Sequence, residues 1–139
     1  MLTEKDYCDY GTCVALKELG YNRGAYAYYF PNHKEDLIFN THPMRGCSIN
    51  EMLRGYNTYS DDTLGHELID APTMYEAQKW LRENRNLHVE VGYNPVLSWY
   101  VYRVWEHQDE IAEGEAFPSY EEALSTAIYM AVEHLKEEK

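Results

Sequence analysis

Basic residues are scarce in this chain. It has 12 Lys and Arg against 24 Asp and Glu, giving a formal net charge of −12 at pH 7. Because proteins bind phosphate backbones through Lys and Arg, this balance argues against direct nucleic-acid binding, and an anionic membrane surface is disfavoured for the same reason. The shortage is greatest over 106–139, which holds ten acids and two bases.

The simplest interpretation of this charge is that it keeps copies of the chain apart. The alternative is an acidic face aimed at a basic partner. Its candidate residues lie in the acidic segment 109–115, and they are Asp109, Glu110, Glu113 and Glu115.

Cysteine is also rare. Cys8, Cys13 and Cys47 are an odd number without the spacing of a disulfide framework, which favours a reducing compartment. Met1–Asp6 lacks the basic and apolar regions of a signal peptide, and no run approaches the roughly 20 apolar residues of a membrane span. We therefore expect a cytoplasmic protein without membrane contact.

Motifs for catalysis are missing. There is no Gly-x-Ser-x-Gly elbow and no phosphate-binding glycine loop. His66-Glu67 begins like the zinc motif His-Glu-x-x-His, but the fifth position is Asp70. A metal-dependent hydrolase using His66 and Glu67, with His42 or His107 as a distant ligand, stays open as an alternative. The main expectation is no catalytic residue, no metal ligand and no cofactor.

Two capping boxes are clearly present. Thr73 and Ser119 each follow a proline and stand three residues before a glutamate, in Pro72–Glu76 and Pro118–Glu122. In this motif the hydroxyl accepts from a free backbone N–H of the first helical turn. The sequence therefore predicts helices beginning near 73 and 120.

Hydrophobic periodicity supplies the remaining elements. The predicted helices cover 9–19, 73–84 and 120–136, and the predicted strands cover 25–30, 37–39, 87–93 and 97–106. Segment 40–70 is read as irregular and 109–115 as an acidic loop. The order predicts a single α+β domain over 1–139. An antiparallel sheet of about four strands in two hairpins would carry two to three helices on one face.

Tyrosine accounts for 14 of the 20 aromatic residues. If helices cover one sheet face, the tyrosines of the strands would form a bare platform on the other, namely Tyr26, Tyr28, Tyr100 and Tyr102. On the last helix, Tyr129 and Met130, with Val132, lie off the core stripe and are a second candidate for partner binding or a homodimer. Ordinary cross-strand aromatic pairs are the structural alternative.

Residues 66–139 resemble a set of small uncharacterised proteins associated with phages and prophages of anaerobic gut bacteria. The likeness lies in three segments, 71–83, 87–91 and 119–124, the last leading into the final helix. The resemblance implies a small cytoplasmic accessory protein, and it brings no known activity. We therefore expect a non-enzymatic, phage-related protein that binds a protein partner. The alternatives are an acidic nucleic-acid mimic that inhibits a DNA-binding protein of the host, and the metal-dependent hydrolase.

Overall fold

A computed structural model describes residues 4–21, 23, 27–30, 33–39 and 69–137. The chain divides into two compact units, one of Met1–Asp6 with Met74–Lys139 and one of Tyr7–Thr73. Helices and antiparallel sheets are segregated along the chain, which confirms the α+β class. A single domain over 1–139 stays a prediction. No helix within the described ranges is long and apolar enough to cross a membrane.

The unit Tyr7–Thr73 begins with the first predicted helix, α1 (Tyr10–Glu18). Asp9 caps it, because the Asp9 carboxylate accepts from the Thr12 N–H at 2.8 Å. The helix ends where Gly20 adopts a φ of 103°, which a residue without a side chain does easily. Both ends agree with the sequence.

The described part of this unit also contains a three-stranded antiparallel sheet, in the order β2-β1-β3. Its strands are β1 (Ala27–Phe30), β2 (His33–Phe39) and β3 (Ile69–Asp70). Segment 40–68 lies outside the described residues. The unit's two ends run side by side: Tyr7 bridges Thr73, and the Cys8 N–H donates to the Pro72 carbonyl at 3.0 Å.

The other unit contains a second antiparallel sheet, in the order β4-β5-β6. Its elements are α2 (Met74–Arg85), β4 (Leu87–Asn94), β5 (Trp99–Glu106), β6 (Asp109–Phe117) and α3 (Tyr120–Glu137). The described residues thus form two sheets of three strands, where the sequence predicted one of about four. The prediction of an acidic loop at 109–115 is wrong, because this segment pairs with β5 as the edge strand β6.

Helices α2 and α3 pack on one face of this sheet. Leu87 and Val89 of β4 are buried while His88 and Glu90 between them are exposed, so one side of the strand is covered. The predicted core stripe of α3 is confirmed from Ala123 to Leu135. Val132, expected off that stripe, is fully buried.

Ser119 starts α3 as its capping box predicts. The Ser119 hydroxyl accepts from the Glu122 N–H at 3.1 Å and lies 3.2 Å from the Glu122 carboxylate, to which it donates. This contact fixes the beginning of the helix that contacts all three strands.

Candidate interaction surface

The pairing of β5 decides which of its aromatic residues are covered. Tyr102 stands opposite Val91 and Tyr100 opposite Tyr93, on the side where β4 buries Leu87 and Val89. Directly opposed residues in an antiparallel pair point to the same face. The tyrosines of β5 therefore face the helices.

Tyr102 belongs to the core. Its side chain is 5% exposed, and its ring centroid lies 5.6 Å from that of Phe117. The ring also lies over Gly114, where an added Cβ would come within 2.6 Å of the Tyr102 Cε1 atom. Burial raises the pKa of the Tyr102 hydroxyl, and the charge of Glu113 raises it further. The prediction that Tyr102 lies on a bare surface is wrong, because the register places it beneath the helices.

The four strand tyrosines do not share a sheet. Tyr28 is half-buried in β1, in the other unit, and Tyr26 lies outside the described residues. Tyr100 is half-buried in β5, with its ring centroid 5.0 Å from Tyr93 and 6.2 Å from Tyr120. The prediction that these tyrosines lie on one sheet is therefore wrong.

The second candidate surface, on α3, is smaller than expected. Tyr129 and Met130 are exposed at 46% and 38%, but Val132 is buried. Two neighbouring apolar side chains remain on the outside of the helix. Their role in partner binding or dimerisation stays a prediction.

The side of the sheet β4-β5-β6 that faces away from α2 and α3 carries the other residues of β5. We call this side the open face. It consists of alternate residues of β5 and of the residues paired with Arg103 on the two neighbouring strands: Glu90, Trp99, Val101, Arg103, Trp105 and Glu113. Trp99, Val101 and Trp105 are half-buried, whereas Arg103 is exposed. The open face therefore combines an apolar centre with charged residues of both signs.

One hydrogen bond and the strand pairing order the open face. The Trp105 indole N–H donates to the Glu90 carboxylate at 2.9 Å. Arg103 lies between Glu90 on β4 and Glu113 on β6 in the strand pairing. The indole N–H of Trp99 is buried and finds no acceptor among the described residues. The two tryptophans differ, since one is held by a carboxylate and the other is not.

The four predicted acidic residues lie on β6 and are all exposed. A hydrogen bond with Glu113 raises the pKa of Glu110; the charges of Glu113 and Glu90 act in the same direction, while that of Arg103 lowers it. Asp109 pairs with Glu106 across the strands. Acidic side chains therefore line an edge strand of the sheet.

A groove of about 640 Å³ opens beside β6. Its walls include Tyr93 and Pro95 from the β4–β5 connection, Val101 and Arg103 from β5, and Glu113, Gly114 and Glu115 from β6. Tyr93 is 53% exposed, and Val96 and Leu97 in the adjacent turn are exposed at 88% and 53%. This volume lies within the range of about 300–1,000 Å³ that is common for ligand sites.

The residues considered for catalysis do not assemble a site within the described part of the chain. His42, His66 and Glu67 fall outside it. His107 is exposed, and its Nδ1 lies 2.6 Å from the Asn86 side-chain nitrogen. No group of three or more His, Cys, Asp or Glu side chains that could hold a metal ion occurs among the described residues.

The two described cysteines are buried. Burial raises the pKa of the Cys13 thiol well above its ordinary value, and hydrogen bonding and charge from Cys8 raise it further. Because the thiolate is the reactive form, Cys13 is a poor nucleophile at neutral pH.

Comparison of the chain with protein-family models, with curated proteins and with solved structures finds no match. The resemblance of 66–139 to phage-associated proteins therefore stays a prediction. The open face and the groove are the features from which a function is argued.

Proposed function

We propose that this chain is a non-enzymatic binding protein that holds a protein partner on the open face. The observation that carries the proposal is a sheet face over which no helix of the described residues lies, centred on Trp99, Val101 and Trp105 beside Arg103. Trp and Arg are enriched among residues that contribute most to protein interfaces. A polar rim around an apolar centre is the usual layout of such a surface.

A role as a phage-related accessory protein in the bacterial cytoplasm is part of this proposal. It is supported by the resemblance of 66–139 and by the low cysteine content. The binding role is preferred to an enzymatic one because the buried, protonated Cys13 offers no nucleophile, and because the half-buried tryptophans of the open face have a clear use in binding.

The test compares captured proteins from a lysate of the producing cells. The open-face variant carries Val101→Ser with Trp105→Ser, and the matched control carries Tyr129→Ser with Met130→Ser on α3. We expect the native protein and the control to retain the same partner and the open-face variant to lose it. Equal capture by all three proteins, or loss only in the α3 variant, would contradict the proposal. Circular dichroism and the unfolding midpoint check that each variant is folded.

One observation favours the acidic mimic as a second candidate function. β6 presents Asp109, Glu110, Glu113 and Glu115 as exposed carboxylates on one strand, and a nucleic-acid-binding surface accepts negative charge from phosphates. Replacing all four by their amides should then release the partner and relieve competition with DNA. If competition with DNA is unchanged in that variant, this second candidate is wrong.

A further inference from the structure

Strand β6 forms an edge of its sheet as far as the described strands show. In the order β4-β5-β6 it is hydrogen-bonded to β5, and no other described strand pairs with it. An edge strand presents unpaired backbone N–H and C=O groups that another extended segment can join. Between its two irregularities, residues 112–114 keep a regular register against β5. The backbone there has the geometry needed for a further strand.

The charge of β6 decides which segment can join it. Its nine residues include four acids and no base. A second copy of β6 would place carboxylates opposite carboxylates, which destabilises cross-strand pairing. Charged side chains on an edge strand are a common protection against self-association. A segment rich in Lys or Arg meets no such penalty and gains favourable charge pairs.

The groove gives such a segment a place for its side chains. Glu113 and Glu115 of β6 both line it, while Arg103 is the only basic residue among its lining. The exposed ring of Tyr93 stands at the turn end of the same groove. Carboxylates with an aromatic ring nearby favour a cationic side chain through charge attraction and cation–π contact.

We infer that an extended basic segment of the partner protein docks along β6 as a fourth strand and places a Lys or Arg side chain in the groove. The inference rests on the proposed function and names the chemistry of the partner. Backbone hydrogen bonds along the edge give affinity, and the groove selects the cationic residue. The apolar centre of the open face is next to this strand, so a longer partner reaches both.

The first experiment measures binding of a fluorescent nine-residue peptide that alternates Lys and Thr, by anisotropy at low salt. The groove variant is Glu113→Gln with Glu115→Gln, and the matched control is Glu76→Gln with Glu83→Gln on α2, which removes the same charge. Losing two exposed charge pairs is expected to weaken binding by about three- to tenfold. The α2 control should stay within about twofold, because its charges lie on the helix side. A peptide with Glu in place of Lys should not bind.

A second experiment separates strand addition from simple charge attraction. Two versions of the Lys-Thr peptide are N-methylated, one on each alternating set of backbone nitrogens. Only one set of N–H groups can face β6, so one version should lose binding while the other keeps it. Equal binding of both versions, or equal weakening by the groove and α2 variants, overturns the inference.

The outcomes also separate the inference from the proposed function. If the Lys-Thr peptide fails these tests while the Val101→Ser/Trp105→Ser variant still loses its captured partner, the open face binds a protein and β6 is not its docking edge. If the peptide behaves as expected and the open-face variant captures the same partner as the native protein, the edge binds a basic strand and the proposed role of the tryptophans is wrong.

Discussion

The two faces of the sheet β4-β5-β6 use the same strands for different purposes. On the covered face Val104 is fully buried and Tyr102 nearly so, on the side where helix α3 contacts β5. On the open face Val101 and Trp105 are half-buried beside the exposed Arg103. Successive residues of one strand therefore serve the core and the surface in turn, since side chains alternate across a sheet.

Aromatic content alone does not identify a binding surface. Tyrosine suits partly exposed positions, because its hydroxyl can stay in contact with water. Here, however, the tyrosines of β5 face the helices and the larger tryptophans lie on the opposite face. The two alternating sets of β5 each hold one charged residue, and the faces differ because Arg103 is exposed while Glu106 is half-buried. Arg103 shares its set with Trp99, Val101 and Trp105.

The largest expected effect comes from two valines three residues apart in β5. Val104→Ala leaves a cavity under the helices and should lower the free energy of unfolding by about 2–3 kcal/mol. Val101→Ala on the open face should cost less than about 1 kcal/mol, because its methyl groups are already partly in water. Urea denaturation measures both. Equal losses would show that the open face is packed as tightly as the covered one.

Glycines on the two faces offer the next test. Gly114→Ala places its Cβ against the Tyr102 ring, 2.6 Å from Cε1, and should destabilise by about 1–3 kcal/mol. Gly92→Ala meets only the Val101 Cγ2 atom at 3.6 Å and should be close to neutral. In a chain that already carries Tyr102→Leu, Gly114→Ala should cost less stability than it does in the native chain, because the ring that the Cβ meets is gone. Thermal unfolding of the four variants would show whether the clash with the ring is the cause.

The helix that covers one face depends on its cap. Ser119→Ala removes the acceptor for the Glu122 N–H and should cost about 1 kcal/mol. Ser125→Ala within α3 is the control, and it should be neutral or slightly stabilising because Ala favours helix interiors. Denaturation midpoints compare the two. A similar response to both substitutions would mean that the capping contact contributes little.

The smallest expected effect concerns pH and the carboxylates of β6. Because the pKa of Glu110 is raised in the folded chain, the native state holds this proton more tightly than the unfolded chain does. The stability that this adds is present at low pH and is lost as the pH rises through the raised pKa. Glu110→Gln should therefore raise the unfolding midpoint slightly at pH 7, and the gain should shrink on acidification.

Glu83→Gln on α2 provides the effect of removing one negative charge elsewhere, measured over the same pH series. If Glu110→Gln and Glu83→Gln shift the midpoint equally at every pH, the interaction of Glu110 with Glu113 has no part in the stability of the sheet. The same titration followed by NMR reports the Glu110 carboxyl directly.

Helices with caps and a periodic core were predictable from the sequence. Asp9, Ser119 and Gly20 mark helix ends through contacts within a few residues, so neighbouring sequence is sufficient to find them. The core stripe of α3 follows from the helical period alone. Such local rules do not depend on how the strands pair.

Strand β6 was missed because its pattern is that of an exposed edge. Glu is depleted in strands, and DEIAEGEAF has no clear alternation of apolar residues. Pairing with β5 supplies the hydrogen bonds that hold it extended, and this information is not local. The sequence also did not show which side of β5 faces away from the helices, since both alternating sets of β5 are largely apolar. Arg103 in one set is matched by Glu106 at the end of the other, so charge did not identify the solvent side.

The side-by-side ends of the unit Tyr7–Thr73 have a consequence for how the chain tolerates change. Tyr7 and Thr73 are bridge partners, so the chain leaves this segment about 5 Å from where it entered. The unit of sixty-odd residues thus begins and ends at neighbouring positions. A transplanted loop or a foreign domain with equally close termini is expected to fit between Asp6 and Met74 without stretching the remaining backbone.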